Sequence, residues 1–412
     1  MSRLRRGLVW VHRIGGLLMA GFLVVAGLTG AALAWYHEAD TALNPTLRRV
    51  PVPHPGAAML DPLELRERVQ ARYPEALAYF VLLDTQPGEA AMFFLRPVAD
   101  PATGRMPVLE ANQVFMDPYT GEWLGDRHWG AFGEGWRHLM PIIYRIHSDL
   151  ALGEFGHHLF GIVALAWTLD CVIGAWLTLP AFRRRAAVAG GPSWWQRWRP
   201  AWSVRWRAGS FKLHFDLHRA AGLWPWALLF VFAWSSVAFN LGEVYYPVMK
   251  ALLPSQETSA SAPPAEGAKG PPMPWPQARE TGRAHMAALA RERGFTVLRE
   301  HRLSFDPRRG QYNYRVQSDR DIRDRRVTTM VTFDAASGAL VSHYIPTGEA
   351  AGDTATTWFL TLHLADIGGW PYKLATTLLG GVIVLLSVTG VYVWWRKRRG
   401  RQSQGGASGP RA

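Results

Sequence analysis

Four histidines of this chain recur in register. Val11-His12-Arg13-Ile-Gly-Gly-Leu17 returns as Leu217-His218-Arg219-Ala-Ala-Gly-Leu223, and Arg145-Ile-His147 returns as Thr361-Leu-His363. Neutral imidazole is a nitrogen ligand suited to haem iron, and two such rings on facing helices make a six-coordinate site. The expectation is a b-type haem whose iron lies between His12 and His218, with Arg13 and Arg219 beside it for the propionates. A second haem is expected between His147 and His363. The competing reading has each histidine merely leaning toward the lipid headgroups at a helix end; duplication of both pairs weighs against it.

Other candidates lack that symmetry. His157 and His158 have Lys373 and Leu374 as repeat mates, and His214, one turn before His218, has Leu8, so these three rank as weaker ligands. His37 has Glu243 as its mate and reads as solvated. Asp170 matches Leu386; a carboxylate inside an apolar run is costly and reads as a proton or quinol contact, with a buried hydrogen bond as the plain alternative.

The elements that must hold these residues follow from where the charge sits. The 412 residues carry a formal charge of +13, which would suit a nucleic-acid binder if the cations were spread over a soluble surface. They flank apolar runs instead. Four runs, Leu8–Trp35, Phe155–Leu179, Ala220–Leu241 and Trp370–Trp395, are each long enough to cross a bilayer core, which requires roughly 20 residues. Arg3-Leu-Arg-Arg6, Arg183-Arg-Arg185 with Arg197, Arg199, Arg205 and Arg207, and Arg396-Lys-Arg-Arg399 put both termini and the 181–211 loop in the cytosol by the positive-inside rule. Nucleic acid drops out as a partner; membrane lipids take its place. The first run imitates a secretory signal, but its apolar core is too long and its internal copy cannot be a signal, so it reads as a retained anchor. Cys171 is the single cysteine, which excludes a disulfide or an Fe–S cluster within one chain.

The repeat extends through the segments between the runs. Phe115-Met-Asp117-Pro-Tyr-Thr-Gly121 is echoed by Phe333-Asp334-Ala-Ala-Ser-Gly338, each read as a turn opened by aspartate and closed by a positive-φ glycine. Ile173-Gly174-Ala-Trp176 is echoed by Thr389-Gly390-Val-Tyr392. The chain therefore reads as two parallel repeats about an axis along the membrane normal, an all-α four-helix transmembrane bundle with two small α+β domains outside it. The expected parsing is a first span at 1–36, a first outer domain at 37–135, and an interfacial helix and second span at 136–182. A basic cytosolic loop at 183–210 leads to a third span at 211–242 and a Pro-rich linker at 243–274. A second outer domain at 275–348, an interfacial helix and fourth span at 349–396, and a disordered basic tail at 397–412 complete it. In the first outer domain a helix opens at Asp61, with strands near Ala78–Asp84, Ala90–Arg96 and Asn112–Met116.

Together with Ile146-His147-Ser-Asp-Leu-Ala-Leu-Gly-Glu-Phe-Gly156, Asp216-Leu-His218-Arg-Ala-Ala-Gly-Leu223 and Val388-Thr-Gly390-Val-Tyr-Val-Trp394, these motifs resemble the PepSY-associated transmembrane-helix family of iron-regulated inner-membrane proteins, over nearly the whole chain. The resemblance implies PepSY-like periplasmic domains, two haems b, and reduction of a ferric siderophore at the periplasmic face. Some relatives carry a fused flavin and nicotinamide domain that this sequence lacks, so the expected electron donor is quinol or a separate reductase. The alternative is a non-enzymatic PepSY module that binds a periplasmic partner or inhibits a protease. A permease is disfavoured, since the runs hold few charges that could line a transport path.

Overall fold

The structure, a computed structural model, describes residues 2–99, 103–132, 135–180, 191–256 and 271–405, the side chains of 401–405 excepted. Arg183–Arg185, the middle of the Pro-rich linker and the end of the basic tail lie outside the described residues. The main elements in chain order are α1 (Arg3–Leu33), α2 (Pro62–Arg72), β1 (Ala76–Leu82), β2 (Ala91–Pro97), β3 (Gln113–Met116) and β4 (Trp123–Arg127). After these come α3 (Leu139–Asp149), α4 (Gly153–Thr178), α5 (Ser210–Leu223), α6 (Trp226–Asn240) and α7 (Trp275–Arg293). The chain ends with β5 (Val297–Asp306), β6 (Gln311–Ser318), β7 (Met330–Asp334), β8 (Leu340–Tyr344), α8 (Ala351–His363) and α9 (Gly369–Gly405). Two compact units result: Met1–Ala34, Ile143–Val248 and Leu362–Ala412 form one, Trp35–Ile142 and Met249–Thr361 the other.

The first unit is helical. Ser2 caps α1, its Oγ accepting from Arg5 N–H at 3.3 Å. Arg5 in turn donates to the carbonyls of Leu177 and Leu179 at 2.6 and 3.1 Å, satisfying groups that the end of α4 leaves open. Among the described residues α1, α4 and Gly369–Gly400 of α9 are long and apolar enough to cross a membrane, and α5 with α6 makes a fourth if that bent pair is one span. The bend corrects the expectation of one continuous run over Ala220–Leu241. The helices meet at 69° around Trp224-Pro225, because proline lacks the N–H that would continue the ladder and its ring crowds the preceding turn. α9 also continues to Gly405, beyond residue 397 where a tail was expected to begin.

The second unit corrects the expectation of two separate outer domains. Its strands form one antiparallel sheet in the order β4-β3-β2-β1-β5-β6-β7-β8. The halves meet where β1 pairs with β5 through Phe80↔Ser304, Val81↔Leu303 and Leu82↔Arg302. Each half alone would present a bare strand edge there, and pairing removes both edges. One hydrophobic core runs under the junction, with Leu65 and Val69 of α2 and Ala278, Met286 and Leu289 of α7 covering Val81, Phe93, Val114, Leu303, Tyr314 and Phe333. Gly282 lets α7 close on the sheet: a Cβ there would come 2.6 Å from Tyr314 Cγ. Arg279 reaches across to Asp61 at 2.9 Å, and the Arg66 guanidinium lies 4.1 Å from the Trp275 ring centre. The two repeated turns have the expected form. Asp117 accepts from the N–H groups of Tyr119 and Thr120, Asp334 from those of Ala336 and Ser337, and Gly121 and Gly338 take φ of 73° and 75°.

Candidate paired-histidine sites

The helical unit brings the four repeated histidines together as two pairs. The rings of His12 on α1 and His218 on α5 have centroids 6.0 Å apart at an interplanar angle of 59°. Those of His147 on α3 and His363 at the end of α8 are 6.2 Å apart at 63°. A bond of about 2.0–2.1 Å from each nitrogen to a shared metal ion, plus roughly 1.1 Å from nitrogen to ring centre on either side, sums to a centroid separation near 6.3 Å. Both pairs have the spacing of two imidazoles on opposite sides of one ion. Along α1, His12 lies about 27 Å from Gly30, which abuts His147, at 1.5 Å per residue. The pairs therefore stand near opposite ends of the helix.

Which nitrogen faces the partner is decided by what the other one does. His147 Nδ1 lies 2.9 Å from Thr29 Oγ1, and that hydroxyl gives its own proton to Val25 O at 2.6 Å. The imidazole must then donate, so its proton is on Nδ1 and the lone pair on Nε2. His363 repeats the arrangement with Ser235, 2.7 Å away, whose hydroxyl donates to Val231 O. His218 Nδ1 donates to the Leu386 carbonyl at 3.0 Å, and His12 Nδ1 to Asp170 Oδ1 at 2.8 Å. All four rings are locked into the tautomer that leaves Nε2 able to ligate.

Glycines give the rings their room. A Cβ on Gly30 would come 3.0 Å from His147 Cε1, one on Gly390 3.1 Å from His218 Cε1, and one on Gly174 3.4 Å from His12 Cε1. Phe232 stacks on His363 at 4.8 Å and 19°. Sequence reasoning did not assign these neighbours to the sites, although a signal existed. Thr29 and Ser235 are repeat mates, as are Gly174 and Gly390, and so are Asp170 and Leu386.

The remaining candidates lie outside the two pairs. His157 and His158 stack edge to face on each other, and His158 Nδ1 donates to Glu154 O. His214 donates to Ser210 O and packs on Tyr392, ring centres 4.1 Å apart. Arg219 is engaged by Asp216 at 3.2 Å and by Pro200 O at 2.5 Å, and Arg13 is exposed. Buried Asp216 also binds Arg205, at 2.6 and 3.0 Å, which ties the basic loop to α5. His37, expected to be solvated, instead sits between Glu89 at 3.0 Å and Arg48 at 3.1 Å in the sheet unit. Asp170 reaches His12, so its carboxylate orients that ring.

The family model described as PepSY-associated TM region matches residues 9–397. No curated protein matches the chain.

Proposed function

The chain belongs to the PepSY-associated TM family, and from that premise and the two imidazole pairs we propose that it is a haem-carrying electron-transfer protein that reduces ferric siderophore at the periplasmic face of the bacterial inner membrane. The observation that carries the reading is the spacing of 6.0 and 6.2 Å within the pairs, with each Nδ1 engaged. Each pair offers two ligands, where a structural zinc takes four; a haem b iron, which would ask the protein for two imidazoles, fits that number. Bound at both sites, it would supply one-electron storage toward each membrane face. His12, His218, His147 and His363 would hold its iron, while Asp170, Leu386, Thr29 and Ser235 fix the rings that would do so. Arg13, exposed on the turn beside His12, would meet a propionate, and Arg219 would contribute once its contact with Asp216 is shared.

The topology belongs to this proposal. The spans make a four-helix bundle of two parallel repeats, with α5 and α6 as one bent crossing, both termini cytosolic, and the PepSY-like segments periplasmic. Electrons enter from quinol or a separate reductase. Reduction releases the metal because Fe(II) binds hard oxygen chelators far more weakly than Fe(III). Protein purified in detergent from haem-replete cells is expected to be red, with two haems per chain by pyridine haemochrome and a Soret band that shifts on dithionite. H12A or H218A should remove one haem and H147A or H363A the other. Colourless protein would overturn the reading in favour of a non-enzymatic PepSY module.

A further inference from the structure

The four Nδ1 partners are not equivalent. Three are neutral: the Thr29 and Ser235 hydroxyls and the Leu386 carbonyl, the last beside Thr389 Oγ1 at 3.2 Å from His218. The fourth is the Asp170 carboxylate, whose side chain retains 16% exposure against 31% for His12. Asp170 and Leu386 occupy the same place in the two repeats, so at one position one copy binds its histidine with an anionic side chain and the other with backbone. Gly174 and Gly390, each four residues further along, clear the approach in both copies. Among the four Nδ1 partners, Asp170 is the one that carries a charge.

A carboxylate accepting from Nδ1–H draws that proton toward itself and makes Nε2 a stronger electron donor. A stronger donor favours ferric over ferrous iron, as does a negative charge held a few ångströms away in a poorly solvated setting. Hydroxyl and carbonyl acceptors do this far less, since hydrogen bonds to ionised groups are roughly twice as strong as neutral ones.

We propose that Asp170 is a positioning residue that makes the His12–His218 site the low-potential site of the two, so that the ordering of the sites is set by one side chain. This rests on the haem reading above. The geometry would then favour an electron arriving at the His12 end of α1 passing to the His147 end, the direction a reductase of periplasmic substrate requires.

The test is a redox titration of the intact detergent-solubilised protein, followed by its visible spectrum, for the wild type, D170N, D170E and H12A. The wild type should titrate in two one-electron waves, and H12A should lack the lower. D170N should move that lower wave upward, raising the reduced-to-oxidised ratio at the wild-type midpoint about tenfold, or about 59 mV for one electron, and leave the upper wave in place. D170E, which keeps the charge, should stay near the wild type. Should D170N lose its haem, a low wave retained in D170E still supports the assignment. Two haems whose potentials are the same in D170N as in wild type, or a shift confined to the upper wave, would overturn this inference while leaving the haem reading intact. A wild type without haem overturns both.

Discussion

Gly27 and Gly380 meet backbone to backbone. A Cβ on Gly27 would lie 2.8 Å from the Gly380 carbonyl oxygen, and one on Gly380 would lie 2.5 Å from that of Gly27. α1 and α9 thus pack closely here, and in lipid, where apolar burial gives helices little reason to associate, such close packing holds them together. The repeat mates are Ala233 and Ala164, both buried where α6 packs on α4. G27V and G380V should each force the helices apart and cost about 1–3 kcal/mol as overpacking. Thermal unfolding in detergent should show the loss, with G21A, whose added methyl meets nothing within 4 Å, unchanged.

T29V and S235A remove the Nδ1 acceptors of His147 and His363 without touching either ring. Loss of such a partner typically weakens metal affinity by about 10- to 100-fold. Haem retention after dilution or apomyoglobin challenge should fall at that site in each variant and remain unchanged at the His12–His218 site. Equal loss at both sites would show that the hydroxyls act through general stability.

The glycine neighbours give a steric version of the same test. G30A and G390A place a methyl 3.0–3.1 Å from a ring carbon, tighter than a relaxed contact, so the imidazole must turn or shift. Each should alter the low-spin ferric spectrum of its own site. G16A, with nothing within 4 Å of the added carbon, is the matched control.

Glu300 should make the sheet unit sensitive to acid. Burial opposes its ionisation, but hydrogen bonds from Arg279, Arg283 and Tyr314 outweigh that and hold the carboxyl down at about 2, against an ordinary 4.5. A depressed carboxyl contributes stability that is full above its unfolded value and fades as pH falls through its folded one. Resistance of β5 and β6 to hydrogen exchange should accordingly weaken between about pH 4.5 and pH 2. E300Q should lower stability at neutral pH by about 1–3 kcal/mol and flatten that dependence.

Much of this protein was legible without coordinates because duplication prints itself as fixed spacing. His12 and His218, His147 and His363, and the turns at Asp117 and Asp334 are copies, and copies in a two-fold arrangement face each other. Apolar run length gave the candidate spans for the same elementary reason, the thickness of a bilayer core. Tertiary structure decided what depends on direction and partner choice. The 69° bend at Trp224-Pro225 follows from how one proline is accommodated among neighbouring helices, and the single sheet from two edges that find each other far apart in sequence. Asp170 is the sharpest case: its type and its mismatch with Leu386 were visible, but a carboxylate's role depends on the atom it reaches. That atom, His12 Nδ1 at 2.8 Å, lies on another helix 158 residues away.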